Sequence, residues 1–294
     1  MNSITVKAYA KINLALDVIK KRPDGYHDVS MIMQTVSLHD TISIKKTKFQ
    51  SIALRSNLYY LPTDQRNLVY KAVELFRENY HFRSGLSIFI NKRIPVAAGL
   101  AGGSSDAAAT LKGLNRLFQT NLSLEELMKL GLKLGADVPY CLLMGTALSE
   151  GIGEILSPLA PMPDCSILLV KPDFNVSTRH VYENLHLDEE IKHPDVLAML
   201  NCLKEKNIYK LASLMDNILE SVTVKDHPII GEIKEKMKDK EALAALMSGS
   251  GPTVFGIFDN HYKAEKAFRY FKSSAYCKQT ILTKPYFPTV AGSK

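Results

Sequence analysis

The chain has 294 residues, 46% apolar and 23% charged; that is long enough for more than one core, because single cores stop growing at about 250 to 300 residues, and 16 Gly and 13 Pro are too few for a fibrous or disordered chain. No run approaches the roughly 18 apolar residues a membrane span needs, and the first twenty residues carry four charges where a signal peptide has an apolar core, so the expectation is a cytoplasmic protein with no membrane partner. The net charge of +7 lies wholly in the first half, where residues 1–150 hold 19 Lys and Arg against 12 Asp and Glu while the rest hold 18 against 18; that half should meet an anion.

Ile4, Val6, Ala8, Ala10, Ile12, Leu14, Leu16 and Val18 fill every even position of the first stretch, and a period of two marks a strand. Lys11 and Asn13 share its opposite face. Pro23-Asp24-Gly25 supplies a turn, and apolar runs follow at Val29 to Val36, Ile42 to Ile44 and Ile52 to Leu54. Leu68, Ala72, Leu75 and Phe76 predict a helix from Asn67 to about Tyr80, after which Leu86, Ile88 and Ile90 alternate as a strand feeding a glycine-rich loop. Helices follow to about Leu143, one opened by a Ser123/Glu126 capping box and ended by Gly135. Pro158, Pro161 and Pro163 precede an apolar run from Ser166 to Val170, which places the domain boundary near 157 and gives domains 1–157 and 158–294. Helical segments fill most of 178–240. The tail reads as a strand (Ala242 to Met247), a Gly-Ser-Gly turn, a strand (Thr253 to Phe258), a helix (Tyr262 to Phe271) and a strand (Gln279 to Lys284), an α+β order with helices on one face. Cys141, Cys165, Cys202 and Cys277 form neither a CxxC pair nor a disulfide framework and read as reduced thiols.

The strongest chemical signal is Pro95-Val96-Ala97-Ala98-Gly99-Leu100-Ala101-Gly102-Gly103-Ser104-Ser105, running into the helical stretch Asp106 to Leu111. Its glycines let the backbone approach a ligand, and the N–H groups and dipole of the helix start favour phosphate. No Lys follows the last Gly, so this is not a Walker A loop, and the dinucleotide fingerprint does not fit either. A flexible turn whose Ser104 or Ser105 caps the helix is the plainer alternative. Asp137, in Gly135-Ala136-Asp137-Val138-Pro139, stands at a helix start where the dipole favours a carboxylate; a proton acceptor and an ordinary N-cap are both open. Lys11 is either a charge neutraliser or a structural lysine. Tyr26 and His27 follow the Pro-Asp-Gly turn, where a ring can stack on a base and an imidazole can bond its edge, or the aromatic can be filler.

Together these segments resemble the GHMP kinases, the small-molecule kinases typified by those for galactose, homoserine and mevalonate. Ala10-Lys11-Ile12-Asn13-Leu14 resembles the first motif of that family, Pro95 to Asp106 the second, and Ser248-Gly249-Ser250-Gly251-Pro252-Thr253-Val254-Phe255-Gly256 the third, a glycine turn supporting the phosphate site. Ala97, Ala98 and Ala101 stand where the family often has Gly. The resemblance implies a two-domain fold, with an N-terminal domain like the second domain of ribosomal protein S5, a ferredoxin-like C-terminal domain, and the active site in the cleft. It assigns catalysis to Lys11 and Asp137, with ATP as donor and Mg²⁺ as its companion, Ser105 being the one metal ligand suggested. Arg22 to His27, Leu134 to Pro139 and Glu150 to Glu154 narrow the resemblance to members acting on a diphosphocytidyl polyol. On that pattern Tyr26 stacks on cytosine, His27 bonds its edge, Tyr182 in Ser177-Thr-Arg-His-Val-Tyr182 supplies the second ring, and Asn13 contacts the polyol. Glu150 and Glu154 read as structural. Two alternatives stay open, a kinase of another small alcohol (homoserine or mevalonate type) and a non-catalytic nucleic-acid binder, since the implied N-terminal fold is shared with a ribosomal protein. Against the latter, Lys234, Lys236, Lys238 and Lys240 alternate with Glu232, Glu235 and Asp239 where a nucleic-acid binder would show a clustered stripe.

Overall fold

The computed structural model describes residues 1–187, 192–274 and 276–288. Two compact units emerge: the first takes 1–10, 38–96 and 101–143, and the second takes 11–37, 97–100 and the described residues from 144 onward. They interleave along the chain, where the sequence suggested a single boundary near 157, because β1 (Ser3–Lys21) and β2 (His27–Thr47) are each long enough to serve both. The apolar runs of β2 that read as separate strands are one.

In the first unit the later part of β2 is followed by β3 (Ile52–Ser56), α1 (Leu68–Tyr80), β4 (Gly85–Asn91), α2 (Gly102–Phe118), α3 (Leu124–Leu132) and α4 (Asp137–Leu143). The strands run β3-β4-β2-β1. β4 pairs antiparallel with β2 from Thr41↔Asn91 to Thr47↔Gly85, and parallel with β3, which requires a crossover that α1 supplies. Asn67 caps α1 by accepting from the Val69 N–H, and Val69, Ala72, Val73 and Phe76 form its buried stripe. α2 lies flush on the sheet because it carries small residues there: a Cβ on Gly113 would stand 2.9 Å from Ile44 Cδ1 and 3.3 Å from Val6 Cγ2. Ser123 and Glu126 make the expected capping box. At the other end of α3 the Gly131 carbonyl accepts from the N–H groups of Leu134 and Gly135, and the chain turns into α4.

In the second unit the early part of β2 pairs with β5 (Thr146–Gly151), from Val29↔Gly151 to Gln34↔Thr146, and β5 with β6 (Ile155–Pro158). There follow β7 (Ser166–Lys171), α5 (Thr178–Glu183), α6 (Val196–Lys204), α7 (Ile208–Leu214), β8 (Asp216–Asn217), α8 (Glu220–Asp226), α9 (Ile229–Asp239), β9 (Ala244–Met247), β10 (Val254–Phe258), α10 (His261–Ser273) and β11 (Gln279–Thr283). β7, β9, β10 and β11 form an antiparallel sheet in the order β11-β7-β10-β9. With helices between its first and second and its third and fourth strands, this is the ferredoxin-like arrangement. α9 and α10 pack on it, burying Ile233, Met237, Phe255, Ile257 and Phe271. Residues 188–191, inside the stretch expected to be helical, lie outside the described residues. β8 interrupts that stretch unannounced, pairing parallel with β1 at Ala15↔Asp216 and Leu16↔Asn217. In this part of β1 both faces are covered, so Lys11, Asn13 and Asp17 are buried along with the even apolar positions. Among the described residues all four cysteines are free, and no helix is long and apolar enough to cross a membrane.

Candidate active site

Lys11 leaves β1 on the face opposite Ile12 and Leu14, yet only 5% of it is exposed. Its Nζ donates to Asn13 Oδ1 at 2.6 Å, and Asn13 Nδ2 is directed at Met31 Sδ at 3.4 Å. A buried ammonium needs such a partner. The Lys11 main-chain N–H donates to the Leu100 carbonyl at 3.2 Å, which lays the Ala97–Leu100 piece of the glycine-rich loop along the strand. From the other side Ser248 Oγ donates to the Gly99 carbonyl at 2.9 Å. Gly99 has φ +73°, and a Cβ there would come within 2.0 Å of the Ser248 carbonyl oxygen, so only glycine fits this approach. The Ser248–Gly251 turn is closed by Gly251 N–H donating to the Ser248 carbonyl at 3.0 Å, and a Cβ on Gly249 would lie 3.5 Å from Lys11 Nζ. Lys11, Asn13, Ala97 to Leu100 and Gly249 to Gly251 thus converge in the second unit. Ser250 Oγ also shares a 2.8 Å hydrogen bond with Thr178 Oγ1, tying the turn to α5.

α5 carries Tyr182, whose ring lies 5.1 Å from that of His27 at a 43° tilt. Both line an open cleft of about 400 Å³ with Lys21, Glu183, His186 and two leucines. Burial, and then the charge of Lys21, hold the His27 imidazole below its usual 6.5, so it is neutral at pH 7 with one donor and one acceptor nitrogen. Tyr26 is not among the cleft-lining residues and is 58% exposed; its N–H donates to Asp24 Oδ1 at 3.1 Å and closes the turn.

The first unit holds the other pieces. α2 starts at Gly102 behind Ala101, whose backbone is left-handed (φ +54°) and whose side chain makes no cap. Ser104 and Ser105 therefore sit inside the first turn and do not cap it, and Ser105 N–H is the first to find a helical acceptor, the Ala101 carbonyl at 2.8 Å. The preceding N–H groups are free of intrahelical partners and suit an anion. Ala97 is also left-handed, at φ +50°, and each such alanine costs about 1–2 kcal/mol. Ser105 Oγ donates to the Tyr9 carbonyl at 2.6 Å. Asp137 is the first residue of α4 and half-buried.

One constellation had no counterpart in the sequence reading. Lys92 Nζ donates to Asp40 Oδ2 at 2.5 Å and to Asp106 Oδ2 at 2.8 Å, all three side chains being buried. Asp40 Oδ1 accepts from the N–H of Arg93, and from that of Ile94 at 2.8 Å. The cluster joins the segment entering the glycine-rich loop to the helix leaving it. Burial works against the charge on Lys92, but the two carboxylates outweigh it and raise its pKa; burial raises Asp106 despite the pull of Lys92. Asp40 and Asp106 lie 52 and 14 residues from Lys92, too far apart for any spacing motif. Glu154 Oε2 accepts from the Ile152 N–H at 2.6 Å in the turn between β5 and β6.

Comparison with known proteins gives this geometry its class. The chain matches the family models described as GHMP kinases N terminal domain, over residues 67–145, and GHMP kinases C terminal, over residues 197–277. It is 60% identical to the 4-diphosphocytidyl-2-C-methyl-D-erythritol kinase of Lachnoclostridium phytofermentans, across 97% of this chain and 98% of that protein. With the protein of the same name from Lachnospira eligens it shares 49% identity across 98% and 100%. A crystal structure of 4-(cytidine 5'-diphospho)-2C-methyl-D-erythritol kinase superposes with a TM-score of 0.82 at 30% identity, covering 97% of this chain and all of that one. Homoserine kinase from Cytophaga hutchinsonii shares the fold, with a TM-score of 0.78 at 19% identity. The chain belongs to the GHMP kinases. It is a small-molecule kinase, and ATP is the substrate its family implies.

Proposed function

We propose that this kinase transfers the γ-phosphate of ATP to the 2-hydroxyl of 4-diphosphocytidyl-2-C-methyl-D-erythritol, giving the 2-phosphate and ADP, a step of the non-mevalonate route to isoprenoid precursors. The observation that carries the choice of acceptor is the cleft in which the neutral His27 ring lies against Tyr182, within the same compact unit as Lys11. Homoserine and mevalonate have no base for such a pair to bind. The near-full-length identity to proteins carrying that kinase name supports the same reading.

In this reading Asp137 accepts the proton of the acceptor hydroxyl, and the Lys11 ammonium stabilises charge on the transferring phosphoryl group, the two tasks that phosphoryl transfer to an alcohol requires. Asn13 holds Lys11 in place. The loop from Pro95 to Ser105 cradles the ATP phosphates, chiefly with the backbone N–H groups at the start of α2 that lack an intrahelical partner, and Gly249, Ser250 and Gly251 support them. Tyr182 and His27 hold the cytosine, with Tyr26 closing over it from the exposed turn. ATP and catalytic groups come mainly from 1–157, and 158–294 supplies the remaining acceptor contacts. Mg²⁺ keeps several waters and takes few protein ligands, so it would be carried by ATP phosphates and water, with Ser105 as its protein ligand. The Ser105 hydroxyl donates a hydrogen bond to the Tyr9 main-chain carbonyl, which leaves its lone pairs for a cation. When bound, the ion would neutralise phosphate charge. The enzyme would work in the cytoplasm on small molecules.

A substrate panel tests the assignment. ADP release with Mg-ATP should require the diphosphocytidyl polyol; equal turnover of homoserine or mevalonate, or a rise in melting temperature with nucleic acid and none with Mg-ATP, would refute it.

A further inference from the structure

The short strand β8 has no part in the mechanism above, yet one of its side chains is built into the Ser248–Gly251 turn. Asn217 is 1% exposed. Its Nδ2 donates to the Met247 and Gly249 carbonyls, each at 2.8 Å, and its Oδ1 accepts from the Leu219 N–H at 3.1 Å. Both amide hydrogens and the carbonyl oxygen are therefore used. The backbone of Asn217 is fixed from the opposite side: Leu16 of β1 is its register partner, and Ile218 N–H donates to the Leu16 carbonyl at 3.0 Å. Lys11 belongs to the same strand, so Asn217 connects the strand that carries Lys11 to the turn that stands beside its ammonium. Glu220 adds a second tie, with Oε1 accepting from the Met247 N–H at 2.7 Å while Oε2 pairs with Lys234.

This connection sets a direction as well as a place. In a trans peptide the C=O and the following N–H point opposite ways, so drawing the Gly249 carbonyl onto Asn217 turns the Ser250 N–H away from it. A turn released from Asn217 could rotate that peptide and change both the N–H direction and the space around Lys11 Nζ, 3.5 Å from the Gly249 Cβ position.

We propose that Asn217 is a positioning residue for phosphoryl transfer, holding the Ser248–Gly251 turn through the Met247 and Gly249 carbonyls so that Lys11 and the Ser250 N–H meet the transferring group in one fixed geometry. The inference rests on the kinase reading above, in which Lys11 stabilises that group. Asn217 touches no substrate in this account.

Asn217→Asp keeps the shape of the side chain and turns the double donor into an oxygen facing two carbonyls. Wild type and variant are compared by thermal melt, by kcat per folded molecule, by KM for ATP, and by Kd for the diphosphocytidyl substrate. Misplacement of a reacting group by about 1 Å costs on the order of 10²-fold, so kcat should fall by about that factor, with acceptor Kd within threefold because the turn reaches α5 and Tyr182 through the Ser250 and Thr178 hydroxyls, which the substitution leaves in place. Glu220→Gln should lower kcat less, in the same pattern. A folded Asn217→Asp protein with kcat within threefold of wild type overturns the proposal, and so does loss of kcat and acceptor affinity in equal measure. Should Asn217→Asp show no cooperative melt, Asn217→Ser, which keeps one donor, is judged by the same two criteria. Wild-type protein inert toward the diphosphocytidyl substrate sinks the kinase reading itself, whereas an active wild type with an indifferent variant sinks only the role of Asn217.

Discussion

Two glycines of the same loop should respond in opposite ways to a single methyl group. At Gly103 an added Cβ meets only Leu68 Cδ1, at 3.7 Å, an ordinary contact. Alanine is better than glycine in a helix by about 1 kcal/mol, so Gly103→Ala should keep or slightly raise the melting temperature. The methyl stands on the open face of the α2 start, where the proposed mechanism seats ATP phosphate. Losing one hydrogen bond to a charged oxygen costs about 1.5–3 kcal/mol, or roughly ten- to a hundredfold in Kd. Gly99→Ala reverses the pattern. Its Cβ would overlap the Ser248 carbonyl oxygen at 2.0 Å in a backbone with φ +73°, and would push apart the Ser248–Gly99 hydrogen bond. The left-handed alanine and the lost bond together cost at least about 2–3 kcal/mol of stability. Scanning calorimetry of both variants, with titration calorimetry against Mg-ATP and the acceptor, separates the two effects. Unchanged ATP affinity in Gly103→Ala would remove the helix start from the ATP site, and a Gly99→Ala protein as stable as wild type would refute the close approach of loop and turn.

Asp137→Asn should leave ATP Kd nearly intact while the chemical step falls by about 10² to 10⁴; single-turnover rates within a few-fold of wild type would refute Asp137 as base. Tyr182→Ala should weaken the diphosphocytidyl substrate by roughly ten- to a hundredfold, the worth of one stacked base, with ATP affinity unmoved in the same titration. Because the His27 pKa lies below 6.5 in the folded protein, His27 stays neutral through pH 7–8; acceptor affinity should be flat there and fall only as pH drops below that ordinary value, and a break near pH 7.5 that disappears in His27→Gln would contradict this. Burial pushes the Cys165 thiol up to about 12, while Cys277 is the one cysteine not fully buried, so mass-mapped alkylation at pH 8 should label Cys277 first and leave Cys165 unmodified.

Period-two alternation exposed β1, the spacing of Leu68, Ala72, Leu75 and Phe76 and the capping box at Ser123 located two helices, and the glycine-rich stretch marked the loop, because each of these signals is local. What escaped was long-range or conformational. The Lys92 cluster depends on Asp40, far away in sequence, and the Ser248–Gly99 contact joins residues 149 positions apart. Asp216-Asn217 falls in a stretch expected to be mostly helical; only its pairing with β1 makes it a strand and buries Asn217. Lys11 looked like the polar face of a half-exposed strand, and its burial follows from elements that cover both faces of β1. The positive φ angles of Ala97 and Ala101 are not written in an alanine; the loop imposes them. His27 and Tyr182 were anticipated as neighbours of one ligand and do line one cleft, whereas the exposure of Tyr26 depends on where its turn points.

The proposed reaction places phosphate on one particular hydroxyl. Position 2 of the methylerythritol unit carries a methyl group and no hydrogen, so a phosphate ester there has no proton three bonds from phosphorus, unlike an ester at any other free hydroxyl of that unit. Phosphorus NMR of the reaction of this protein with Mg-ATP and 4-diphosphocytidyl-2-C-methyl-D-erythritol is therefore the direct test. One new phosphomonoester resonance that remains a singlet without proton decoupling should appear in step with ADP; a proton-split resonance, or ADP formed with no new phosphomonoester, would refute transfer to the 2-hydroxyl.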